Sequence, residues 1–192
     1  ALRPDLGNDL SALRREGIRV LLQRAGEDPN LAEPAFEVFF EARQKVNFYE
    51  DAIPALDFLK SKYPMVALSN GNADIHKVGL GNYFVAAFNP ISLGVGKPDP
   101  KMFHAGAEAL GVLPEEVLHI GDDPHLDVLA AQRAGMQSVW VNREEKKWTH
   151  ETHPAPFTVV GLKELCRAWP VINSIDEKWL EELYSTSLYD TI

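Results

Sequence analysis

The period of the apolar positions changes near residue 50. Before it, Leu10, Leu13, Ile18, Leu21 and Leu22 recur at helical spacing, which predicts a helix from Asp9 to Ala25. Gly26-Glu27-Asp28-Pro29 stops it. A second helix is expected from about Glu33 to Gln44, with Phe36, Phe39 and Phe40 on one face. No strand pattern occurs in residues 1–50. From about Asp51, helices alternate with short apolar runs. Helices are expected over 52–62, 73–80, 100–111 and 125–134, and strands over 65–68, 86–93 (weaker), 117–120, 138–141 and 157–160. Such alternation implies βα units, a parallel sheet with helices on its faces, and right-handed crossovers. Residues 51–169 are therefore read as an α/β core, 1–50 as a separate helical piece, and 170–192 as a tail with a helical pattern over 176–184.

Composition narrows the class. The chain has 192 residues, 45% apolar and 24% charged, ordinary values for a globular domain with a sizeable core. The net charge of −9 argues against broad nucleic-acid or anionic-membrane binding, which needs a basic surface, while leaving room for a local cationic pocket. No apolar run reaches transmembrane length. Cys166 is the single cysteine, so no internal disulfide forms, in keeping with a reducing compartment; a cytoplasmic location is expected. The start Ala1-Leu2-Arg3-Pro4 reads as a cut end.

Ligands of open α/β sheets bind beyond the carboxyl ends of the strands. The first strand ends in Leu68-Ser69-Asn70-Gly71-Asn72. A hydroxyl before a glycine turn can cradle an anion with the amides that follow; the same segment also serves as a plain helix-capping turn. The second strand leads to Gly94-Val95-Gly96-Lys97-Pro98-Asp99-Pro100. Pro98 after Lys97 and the glycine spacing exclude a Walker loop and a dinucleotide fingerprint. What remains is a lysine in a proline-flanked turn, inert if solvated, charge-neutralising if set beside a phosphate. The third strand ends in Gly121-Asp122-Asp123, with Asp127 one turn later. Adjacent carboxylates are costly without a cation between them, and hard oxygen donors at a strand end suit Mg²⁺. Helix capping is the alternative for Asp123.

In this order, at the ends of successive strands, "LSNGN", "GKPDPKMF" and "HIGDDPHLDVLAAQRAGM" resemble motifs two, three and four of the haloacid dehalogenase superfamily. The resemblance spans about residues 50–165 and implies a Rossmann-like core. Residues 1–50 look like part of the family's helical cap. The activity implied is Mg²⁺-dependent hydrolysis of a phosphate monoester through an aspartyl-phosphate. In that scheme Ser69, Asn70 and Gly71 hold phosphoryl oxygens and Lys97 neutralises charge. Asp122 ligates the metal, and Asp123 and Asp127 stand behind it, positioning metal waters or Lys97. The family's first motif, D-x-D-x-T/V, with the nucleophilic aspartate, is not found. The expectation is a chain that begins inside the cap, lacks the first core strand, and is inactive by itself.

Haloacid dehalogenases resemble the chain at "SNGN" and the lysine loop, but they need no metal and usually lack the acidic pair, so "GDD" favours a phosphatase. A non-catalytic fragment is the other rival. The pattern is similar to the branch holding flavin-pathway and nucleotide phosphatases, which implies a small phosphorylated metabolite. His119 reads as a packed, hydrogen-bonded core residue.

Overall fold

A computed structural model describes residues 6–150, 153 and 155–172. Helix α1, Leu10–Ala25, starts where the Asp9 carboxylate accepts from the Ala12 N–H at 2.8 Å and ends where Gly26 turns left-handed. α2 is Ala32–Gln44. Phe36 is buried between the two helices, with the Arg15 guanidinium over its ring, while Phe39 is partly exposed.

The core begins with α3, Ala52–Lys60, and continues with β1, Val66–Leu68, and β2, Ala86–Phe88. Then come α4, Pro90–Leu93, and α5, Pro100–Leu110. β3, Leu118–Gly121, leads through one π-helical segment, Pro124–Leu129, into α6, Ala130–Arg133. β4 is Gln137–Val141, β5 Phe157–Val159 and α7 Leu162–Ile172.

All strand pairs are parallel, as the helix–strand alternation requires. The sheet is nevertheless in two halves. β1 pairs with β2, and β3–β4–β5 form a second unit. One face packs on α3 and α7 through Leu59, Val139, Val141, Val159, Leu165 and Trp169. The other packs on α5 and α6 through Phe103, Ala107, Ala130 and Ala131. The chain is thus an α/β domain of parallel strands between helical layers.

Three expected elements differ. Residues 73–80 form one turn rather than a helix. The Asp74 carboxylate accepts from the His76 and Lys77 N–H groups, and Gly79 then adopts φ 85° and ends the turn. The second strand stops at Phe88, because Asn89 caps α4 with Pro90 at its first position. The boundary expected at residue 170 falls inside α7. The apolar stripe Leu165, Trp169, Ile172 carries that helix through Pro170 onto the core. The helical pattern at 176–184 lies outside the described residues.

Candidate active site

Asn70, just past β1, accepts from the Lys97 N–H and donates to the Lys97 carbonyl, both at 2.7 Å. A Cβ on Gly96 would lie 2.7 Å from the Asn70 amide oxygen, so this close approach needs glycine. Lys97 in turn reaches across to Asp127, Nζ to Oδ1 2.5 Å. Asp127 sits against Gly121 at the end of β3, where an added Cβ would come within 2.3 Å of the Asp127 Cβ. The carboxyl ends of β1 and β3 therefore lie together, linked by the lysine loop.

Asp127 is 4% exposed and has three partners. Besides Lys97, its Oδ1 lies 3.1 Å from His119 Nε2, and its Oδ2 accepts from the Asp123 N–H at 3.2 Å. Burial alone would raise this carboxyl. The His119 hydrogen bond and the Lys97 ammonium outweigh it and hold Asp127 well below the usual carboxylate range. His119 packs edge-on against Phe103, centroids 5.1 Å apart. Sequence reasoning treated His119 as core and missed its bond to Asp127. Strand parity carried the signal: His119 and Gly121 share one face of β3, the face that Asp127 covers.

The other candidates divide. Asp123 is the N-cap of the π-helical segment, its carboxylate accepting from the His125 and Leu126 N–H groups at 2.8 and 2.7 Å. Asp122 is exposed, and its carboxylate has no hydrogen bond or ion pair among the described residues. Its carbonyl accepts from Trp140 Nε1 at 3.0 Å, which fixes the backbone there. The Ser69 hydroxyl is exposed and accepts from the Gly71 N–H at 3.0 Å. The Asn70 side chain is taken up by the lysine loop, which leaves its amide committed to Lys97.

A cleft of about 770 Å³ runs between the two half-sheets. Met65–Leu68 line one side, Leu118–Gly121 the other, and Lys97, Asp122 and Asp127 also border it. Each wall is an edge of a strand that is unpaired among the described residues. The N-terminal helical piece reaches the same loops: Asn72 Nδ2 donates to Ser11 Oγ at 3.1 Å, Arg43 Nε donates to Asn72 Oδ1 at 2.8 Å, the Asp74 N–H donates to Gln44 Oε1 at 2.9 Å, and Asn8 donates to the Gly94 carbonyl. The contacts of Arg43 and Gln44 carried no sequence signal, since they depend on how the helical piece docks.

A family model described as haloacid dehalogenase-like hydrolase matches residues 2–135. The chain belongs to this family of hydrolases. It is 33% identical over 158 residues to a phosphoserine phosphatase of Thermus thermophilus, covering 79% of this chain and 63% of that protein. It is 34% identical over 145 residues to the 5-amino-6-(5-phospho-D-ribitylamino)uracil phosphatase YigB of Escherichia coli, covering 73% and 61%. The chain thus spans about three fifths of the length of these relatives. The crystal structure of a 2-haloacid dehalogenase from Pseudomonas syringae pv. Tomato superposes with a TM-score of 0.79 at 33% identity, over 87% of this chain and 74% of that one.

No group of three or more His, Cys, Asp or Glu side chains capable of holding a metal occurs among the described residues. Asp122 does fit Mg²⁺ as a single ligand. Its carboxylate is unpaired, and Mg²⁺ takes one or two carboxylates and keeps several waters.

Proposed function

We propose that this chain forms the phosphate-binding and metal-facing part of a Mg²⁺-dependent phosphohydrolase acting on a small phosphorylated metabolite. The observation that carries the reading is the meeting of Lys97, Asp122 and Asp127 at one cleft, where β1 and β3 end. The cleft takes an extended segment as an added parallel strand, satisfying both unpaired edges. Its carboxyl end brings a nucleophilic aspartate beside Lys97.

In this mechanism a carboxylate oxygen attacks phosphorus, the ester oxygen leaves with a proton, and water then hydrolyses the aspartyl-phosphate. The Ser69 hydroxyl and the amides after it hold phosphoryl oxygens. The Lys97 ammonium lies between nucleophile and phosphoryl group and offsets their repulsion. Asp127 and Asn70 position Lys97 from its two ends, and Asp123 sets the turn that presents Asp122. Mg²⁺, held through Asp122, would screen the phosphoryl charge. Relatives named for phosphoserine, a phosphoribitylamino-uracil and glyceraldehyde 3-phosphate support a small metabolite as substrate.

The second reading is a 2-haloacid dehalogenase, favoured by the superposition on the Pseudomonas enzyme. One assay separates the two. Phosphate release from a panel of monoesters, with and without Mg²⁺, is measured beside chloride release from 2-chloropropionate. With an apolar peptide ending in Asp-x-Asp added to supply the nucleophile, metal-dependent phosphate release is expected; metal-independent chloride release with no phosphate would establish the dehalogenase instead.

A further inference from the structure

We infer that Arg43 is a substrate-binding, specificity-determining residue that receives a carboxylate carried by the phosphorylated substrate. The inference rests on the phosphate site proposed above.

Arg43 stands in the last turn of α2. A cation there commonly does no more than face the helix's terminal carbonyls. Arg43 does something else: its Nε crosses to Asn72 Oδ1, in the loop that follows Ser69. Asn72 is held from the other side, because its Nδ2 donates to Ser11 Oγ. The guanidinium plane is therefore anchored on a neutral amide whose orientation is already set.

The charge of Arg43 has no carboxylate partner among the described residues. Arg15, Arg19 and Arg143, by contrast, are each ion-paired to Glu or Asp. Arg14, Arg24, Arg133 and Arg167 also lack a carboxylate partner among the described residues; what sets Arg43 apart is its bond to Asn72 in the loop that follows Ser69.

Its position gives it a direction. A Cβ built on Gly71 would lie 3.2 Å from Ser69 Oγ and 3.4 Å from a terminal nitrogen of Arg43. The two groups thus flank one small space that Gly71 leaves open. The Ser69 hydroxyl and Lys97 serve the phosphoryl group. Arg43 lies across the Gly71 space from Ser69, on the side of the N-terminal helices, and on this reading the rest of the substrate extends toward it. A planar fork of N–H donors matches a carboxylate two or three bonds from phosphorus.

The test is calorimetric titration of the protein, with Mg²⁺, using phosphoglycolate and ethyl phosphate, which differ by a carboxylate. The wild type should bind phosphoglycolate about tenfold tighter or more. Arg43→Gln, which keeps an N–H donor toward Asn72, should erase that preference and leave ethyl phosphate within about twofold. Arg43→Lys should keep part of it, and Arg24→Gln, a distant loss of the same charge, should keep all of it. Thermal melts confirm that each variant is folded. A preference surviving in Arg43→Gln, or absent from the wild type that binds ethyl phosphate, overturns the Arg43 assignment alone. Failure of the wild type to bind either compound overturns the phosphate site and this inference with it.

Discussion

β4 and β1 are both short, parallel and apolar, yet only β4 is buried. β4 has a strand on each edge, and its Val139, Trp140 and Val141 are 1%, 3% and 8% exposed. β1 is paired on one edge, and none of Val66, Ala67 and Leu68 is buried. β3 behaves like β1: its four residues are all half-buried, and its second edge also faces the cleft. Residue type does not explain this, since Val66, Leu68 and Ile120 are as apolar as the residues of β4. Exposure follows the unpaired edges. The cleft is therefore part of the sheet's architecture, walled by main-chain donors and acceptors as well as side chains.

The largest effect comes from changing that contrast directly. An apolar peptide of six or seven residues ending in Asp-x-Asp, added to the chain, should bind in the cleft. At about 100 times its dissociation constant it should stabilise by roughly 2.7 kcal/mol and raise the melting temperature by about 5–10 °C. Phosphate release should go from none to measurable. A control peptide with proline at its centre cannot complete the ladder and should do neither. Full activity in the unaided chain, or equal effects from both peptides, breaks the comparison between β1 and β4.

The acidic pair after β3 gives the next effect. Asp122→Ala should lower Mg²⁺-dependent turnover of the complemented protein by at least about 10²-fold, because the proposed mechanism holds the metal through its free carboxylate. Asp123→Ala should chiefly cost the cap, about 1 kcal/mol of stability, with a smaller loss of rate. Turnover and urea unfolding of the two variants separate the roles; equal rate losses would place both aspartates at the metal.

Asp127 is a stability element with a pH signature. Asp127→Ala leaves Lys97 in a mostly buried place without its partner, at a cost of about 3–5 kcal/mol. The folded-state carboxyl lies below the ordinary value of about 3.9, so its contribution is whole above that pH and is lost as pH falls through the depressed value. The stability gap between wild type and Asp127→Asn should be flat above about pH 5 and narrow below about pH 4. A gap that narrows instead between pH 6 and 8 would assign the dependence to another group.

The parallel α/β class and the order of the site motifs were legible because both are local patterns. Each strand is an apolar run, and each candidate follows one. The position of Lys97 relative to Asp127 was less so, since it depends on the Asn70 clasp, which joins residues 27 apart. Residues 73–80 misled because Ile75, Val78 and Leu80 keep an apolar rhythm while Asp74 and Gly79 close the turn. The docking of Arg43 and Gln44 on the loop after β1 was out of reach, because no spacing encodes how one helical piece meets another. The division of the sheet into β1–β2 and β3–β4–β5, and its consequence for burial, show only in three dimensions.

The smallest effect asks whether burial or composition sets the strength of each half-sheet. Val139 packs with Leu59, Leu165 and Trp169, and truncating it to alanine should cost about 2 kcal/mol. Val66 lies 3.8 Å from where a Cβ on Gly106 of α5 would sit, a single-sided contact, and Val66→Ala should cost about 1 kcal/mol or less. For a chain of this size the difference is about 2–4 °C in melting temperature, which scanning calorimetry resolves. With the cleft peptide bound, β1 gains its second neighbour and the cost of Val66→Ala should rise toward that of Val139→Ala. Equal costs in the peptide-free chain would mean that β1 is already supported on both edges, and that the cleft is not the site of an added strand.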